Sequence, residues 1–89
     1  MAQIRFTENI QRHVECSDAE VRGTTVAEAL DHYFEDRQRA RGYVLDEQGA
    51  VRQHMIIFLN GRPITDRTTL SDALASDDVI DVMQALSGG

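Results

Sequence analysis

Cysteine occurs once, at Cys16, so no internal disulfide framework can hold this chain together. Basic residues are scarce: nine Lys plus Arg stand against fifteen Asp plus Glu, a net charge of −6. Nucleic-acid binding needs a basic patch that displaces counterions. Arg37, Arg39 and Arg41 form the only basic cluster in the sequence, with acidic residues around it. Neither nucleic acid nor an anionic membrane is therefore an expected partner, whereas a basic protein surface is compatible with the charge. No apolar run is long enough to span a bilayer, and Met1-Ala2-Gln3-Ile4-Arg5 has no apolar signal core. The expected location is the cytoplasm. His13, His32 and His54 lie far apart in sequence with no second cysteine to pair with, so no zinc spacing exists. Asp72, Asp77, Asp78 and Asp81 fit no calcium loop and read as a solvated acidic surface able to steer a basic partner. Neither a Ser/His/Asp arrangement nor a phosphate-binding glycine loop is present. A chain of 89 residues has room for one modest core and rarely for a deep cleft with its supporting shell. The expectation is a protein that is not an enzyme and holds no permanent cofactor.

What remains is ordinary globular material: 42% hydrophobic and 27% charged residues. Ile4 and Phe6 alternate with Arg5 and Thr7, which predicts a half-buried strand. Asn9 reads as a turn. Ile10, Val14 and Cys16 share parity and predict a second strand, closing an N-terminal hairpin. Thr25-Val26-Ala27-Glu28 is a capping-box pattern. Val26, Ala29, Leu30, Tyr33 and Phe34 follow helical spacing on one face. The predicted helix runs from Val26 to Arg39, with Gly42 as the residue that terminates it. Tyr43 to Arg52 reads as a linker with a turn at Asp46-Glu47-Gln48-Gly49. Met55-Ile56-Ile57-Phe58-Leu59 is the most apolar segment, and Asn60-Gly61 after it is a strong hairpin signal. Arg62-Pro63-Ile64 should return as a short edge strand, where proline is tolerated. Thr68 to Ala75 predicts a turn or short helix with Leu70 and Leu74 plugging the core. Asp77-Asp78 then leads into a last strand from Val79 to Leu86.

The end of the chain is its most informative stretch. Ser87-Gly88-Gly89 follows directly on that strand. Two residues without Cβ can thread a narrow channel in almost any conformation. The Gly89 carboxylate at the tip is a poor electrophile until activated, most simply as an acyl-adenylate. Residues 1–86 are thus expected to form one domain and 87–89 a flexible tail.

Together these segments resemble the ubiquitin-like β-grasp sulfur carriers of the MoaD/ThiS family. The likeness is carried by Thr25-Val26-Ala27-Glu28-Ala29-Leu30, Leu45-Asp46-Glu47-Gln48-Gly49, Ile57-Phe58-Leu59-Asn60-Gly61-Arg62, Asp78-Val79-Ile80-Asp81-Val82 and Ser87-Gly88-Gly89, which span most of the chain. The Asp-Glu-Gln-Gly turn before the apolar strand is similar to the subgroup that feeds sulfur to cysteine synthesis. Gln84-Ala85-Leu86-Ser87 departs from the proline and small residues that many members carry before the diglycine. The resemblance implies an α+β fold, a mixed sheet of four to five strands packed on one main helix. It also implies a cycle. An E1-like adenylating and sulfurtransferase enzyme uses ATP to activate Gly89, with Gly88 needed for access. Sulfur displaces AMP and leaves a C-terminal thiocarboxylate, which a downstream synthase accepts.

Strand parity predicts a partner surface. If Met55, Ile57 and Leu59 face the core, Ile56 and Phe58 face outward. If Ile80 and Val82 face inward, Val79, Asp81 and Met83 face outward. In a β-grasp sheet these strands are neighbours, so Ile56, Phe58, Val79, Asp81, Met83 and Leu86 would form one patch, unless segment 43–52 folds over it. Two other functions share the sequence evidence: a modifier conjugated to lysines through Gly89, and a plain interaction domain with an incidental diglycine.

Overall fold

The structure, a computed structural model, describes residues 1–85. β1 (Ala2–Phe6) buries Ala2, Ile4 and Phe6 and exposes Gln3 and Arg5, as alternation requires. Its antiparallel partner is β2 (Ala19–Val21), not the segment around Ile10. Residues Glu8–His13 instead form α1. Ile10 and Val14 are four apart, a spacing that suits a helix as well as a strand parity. The short helix settles the ambiguity by burying Ile10 alone and bonding the Val14 N–H to the Ile10 carbonyl. Glu8 in its first turn and Arg12 and His13 in its last complement the helix dipole. The N-terminal hairpin is therefore a wide one, closed where the Phe6 N–H donates to the Asp18 carboxylate at 3.0 Å.

α2 (Val26–Phe34) begins where the capping box places it. The Thr25 hydroxyl accepts from the Glu28 N–H at 3.2 Å, while the Glu28 carboxylate reaches back to the N–H and hydroxyl of Thr24. Gly23 permits this entry, because a Cβ there would lie 2.8 Å from the Ala29 nitrogen. The helix stops five residues short of the expected end. The Arg37 side chain folds back over the Tyr33 ring, 4.4 Å from its centroid, and donates to the Tyr33 carbonyl at 3.0 Å. Gln38 donates to the Phe34 carbonyl at 2.9 Å. With two of its last carbonyls satisfied by side chains, α2 ends, and the chain restarts as α3 (Gln38–Val44). Gly42 lies inside α3 and terminates nothing. Four residues of the expected linker 43–52 are accordingly helix or core: Tyr43 and Val44 belong to α3, and Leu45 and Val51 are buried, as is Val44, while the Asp46 carboxylate closes the turn by accepting from the N–H groups of Gln48 and Ala50.

β3 (Met55–Leu59), β4 (Arg62–Pro63) and β5 (Val79–Gln84) complete the sheet. Asn60 and Gly61 both take positive φ, 53° and 84°, as the hairpin signal demands. The strand order is β2-β1-β5-β3-β4, with β5 central, parallel to β1 and antiparallel to β3. This is the mixed β-grasp sheet that the sequence implies. Ile4, Ile57, Ile80 and Val82 meet Val26, Leu30 and Phe34 of α2 and Val44 of α3 in one buried cluster. Leu70 and Leu74 plug its end as expected, from a turn rather than a helix.

Candidate functional site

The outward face of β3 and β5 holds the predicted patch, apart from Leu86, which lies outside the described residues. Register sets Ile56 opposite Met83 and Phe58 opposite Asp81. Val79 follows on the same face, beside Gln3 of β1. Each of these five residues is half-buried, while Met55, Ile57, Ile80 and Val82 of opposite parity are buried. The parity assignment holds for these residues, whereas Leu59, also expected to face the core, is only half-buried and packs against the cluster from the strand end. Val44, Leu45 and Val51 of segment 43–52 turn into the core cluster.

Asp81 is not a free acid on this face. Arg5 lies beside it on the neighbouring parallel strand and grips it with two bonds, Nε to Oδ1 at 2.7 Å and Nη2 to Oδ2 at 2.9 Å. Two other members of the expected acidic surface are also committed. Asp72 accepts from the Thr65 N–H and hydroxyl and the Asp66 N–H. Asp78 accepts from the Asn60 amide and the Ala75 N–H. Both carboxyls are held below the ordinary carboxylate range, Asp72 first by the Thr65 N–H and Asp78 first by the Asn60 amide. These carboxylates shape loops before they steer anything. Cys16 is a buried core residue, and burial pushes its thiol up, away from the reactive thiolate.

A second group of residues gathers where β5 ends. The Gln84 amide donates to the Tyr43 hydroxyl at 2.6 Å, and the Gln84 carbonyl oxygen accepts from the Asn9 amide. The Tyr43 ring stacks on His13, with centroids 5.8 Å apart, and meets His54 edge-on at 6.1 Å. The Ala85 N–H donates to the His54 carbonyl at 2.9 Å. α1, α3 and the start of β3 thus converge on Gln84 and Ala85, at the end of β5. Sequence reasoning treats His13 and His54 as isolated, and no local pattern signals otherwise, since Tyr43 and Gln84 are 41 residues apart. Among the described residues, no group of three His, Cys, Asp or Glu side chains is placed to hold a metal ion. No helix among them is long and apolar enough to cross a membrane. Gly88 and Gly89, the expected carrying terminus, lie outside the described residues.

A family model described as the ThiS family matches residues 4–89, from β1 through the final glycine. The chain belongs to the ThiS family. Comparison with curated proteins finds no match. Solved structures share the fold of this ThiS-family protein at low identity. The Amycolatopsis orientalis BexX/CysO complex contains a chain with a TM-score of 0.81 at 16% identity, covering 100% of both chains. Mycobacterium tuberculosis CysO superposes with a TM-score of 0.80 at 13% identity, over 97% of this chain and 100% of its own. Small archaeal modifier protein 1 from Methanosarcina acetivorans gives 0.79 at 16%, over 99% and 95%.

Proposed function

We propose that this ThiS-family protein is a cytoplasmic sulfur carrier whose Gly89 carboxylate is the cargo site. The observation that carries the reading is the family match, which runs through Gly88-Gly89 at the end of a β-grasp domain. The Gly89 carboxylate oxygen attacks the α-phosphorus of ATP in an E1-like activating enzyme, forming the acyl-adenylate and releasing pyrophosphate. A sulfur nucleophile then attacks the acyl carbon, the C–S bond forms, the C–O bond to AMP breaks, and the thiocarboxylate remains for a downstream synthase. No side chain of this domain takes part in these bonds. Its contribution is recognition: the face of Ile56, Phe58, Val79, Asp81 and Met83 for docking, and the Gln84–Tyr43 contact to fix the end of β5.

The test is mass spectrometry of the protein after incubation with its activating enzyme, ATP and a sulfur donor. One oxygen at Gly89 should be exchanged for sulfur. Oxidation of a methionine or Cys16 adds nearly the same mass, so the shift must require ATP, map to Gly89 and be trapped by a thiocarboxylate-specific reagent. A protein that never acquires this shift with any cognate activating enzyme overturns the reading. A second reading is favoured by the fold shared with a small archaeal modifier protein: conjugation of Gly89 to lysines of other proteins. Heavier adducts of the tagged protein in whole cells would support it.

A further inference from the structure

Every cationic side chain other than histidine is arginine: Arg5, Arg12, Arg22, Arg37, Arg39, Arg41, Arg52, Arg62 and Arg67 account for all nine, and the 89 residues contain no lysine. The difference is chemical. A guanidinium stays protonated at any physiological pH and does not attack acyl groups, whereas an exposed lysine always keeps a small fraction of free, nucleophilic amine. Cys16, the lone thiol, is 7% exposed and its ionisation is opposed by burial.

The imidazoles of His13, His32 and His54 can form only acyl-imidazoles, which water reopens, so they leave no stable conjugate. Among the amines of these 89 residues that leaves the α-amine at Met1, which the topology sets at the far end of β5 from Ala85. Met1 precedes the register pair Gln3 and Val79, and its amine meets the Ser76 hydroxyl at 3.4 Å, just before β5. Ala85, the last described residue, follows the opposite end of β5. Six strand steps from Val79 to Ala85 cover about 20 Å. Four residues from Ala85 to Gly89 reach at most about 14 Å. The Gly89 acyl carbon cannot reach its own α-amine while the sheet is intact.

We propose that this chain is built as a non-acceptor: an acyl group activated at Gly89 finds, on the folded protein that carries it, no amine within reach that could hold it in a stable bond. It persists for an external nucleophile, and any conjugate carries this protein as single units, not as side-chain-linked chains. This inference rests on the reading that Gly89 is activated, and its test does not need the activating enzyme.

The full chain is prepared with a chemical thioester at Gly89 and incubated at neutral pH. An amine attacking the acyl carbon forms a C–N bond, breaks the C–S bond and expels the thiol, which takes up the amine proton. The wild-type thioester should lose its thiol only to water, or to added sulfide as the thiocarboxylate. No cyclic product, one water lighter than the free acid, should form, and no side-chain-linked dimer. The comparison variant is His54→Lys, an exposed position whose carbonyl binds the Ala85 N–H and so lies within the tail's reach. It should cyclise. Gln53→Lys, at a neighbouring exposed position, repeats the test if His54→Lys fails to fold. A cyclic or side-chain-linked wild-type product overturns the proposal. So does a folded lysine variant that stays as inert as wild type, since the missing amine would then not be the protecting feature.

Discussion

Asp66 sets the conformation of Leu70. The Leu70 N–H donates to the Asp66 carbonyl at 3.0 Å, and the Asp66 carboxylate accepts from the N–H groups of Thr68, Thr69 and Ser71 and from the hydroxyls of Thr69 and Ser71. The closed loop holds Leu70 at φ +54° while its side chain is buried and its carbonyl accepts from Ala27 at the start of α2. A left-handed leucine costs roughly 1–2 kcal/mol, which the loop bonds and the burial offset.

The Asp66 carboxyl is held far below the ordinary carboxylate range, first by the Ser71 hydroxyl and then by Thr69. A group whose folded pKa is depressed adds stability above its unfolded pKa of about 4 and loses it as pH falls. Urea melts of wild type should therefore weaken as pH drops below about 4. Asp66→Asn should be less stable at pH 7 and should show a smaller loss on acidification. Parallel pH profiles for the two proteins would contradict the assignment.

Ile57→Ala should cost about 2–5 kcal/mol, since its side chain is fully buried between sheet and helix. Phe58→Ala, on the half-buried outer face, should cost distinctly less and should instead weaken binding to the activating enzyme. Chemical denaturation paired with a binding titration separates the two effects. Equal destabilisation with unchanged binding would remove Phe58 from the docking surface.

Asn60 serves the hairpin twice. It takes the positive φ, and its side chain joins the turn to β5, donating to Asp78 and accepting from the Val79 N–H, both at 2.9 Å. Asn60→Gly should lose only the side-chain bonds. Asn60→Ala should lose these and add backbone strain, making it the less stable by roughly 1 kcal/mol. Thermal melts of the pair decide it, and the reverse order would show that the backbone conformation is not limiting.

Gly89→Ala adds a methyl group where a narrow channel is expected, and deleting Gly89 retracts the carboxylate by about 3.3–3.6 Å. Either change should abolish ATP-dependent activation with unaltered melting. A deletion variant that still gains sulfur in an ATP-dependent way would place the carrying group elsewhere.

Local signals determined those parts of the protein whose conformation is decided by near neighbours. Thr25 and Glu28 start α2 through contacts within four residues. Asn60-Gly61 turns the chain because both residues tolerate positive φ. The parity of β3 and β5 separates Ile57 from Phe58 because strand side chains alternate. The diglycine, read with the order of these elements, pointed to the family. Tertiary structure decided what depends on distant partners. Ile10 fits a strand or a helix by spacing, and the core it enters selects α1. The helix break at Arg37 follows from a guanidinium finding the Tyr33 ring and carbonyl, an option that apolar periodicity does not encode. Asp81 reads as a free acid until β1 sets Arg5 beside it. His13, Tyr43, His54 and Gln84 meet only because the sheet order brings the end of β5 between α1 and α3. Spacing along the chain cannot report a contact made across it.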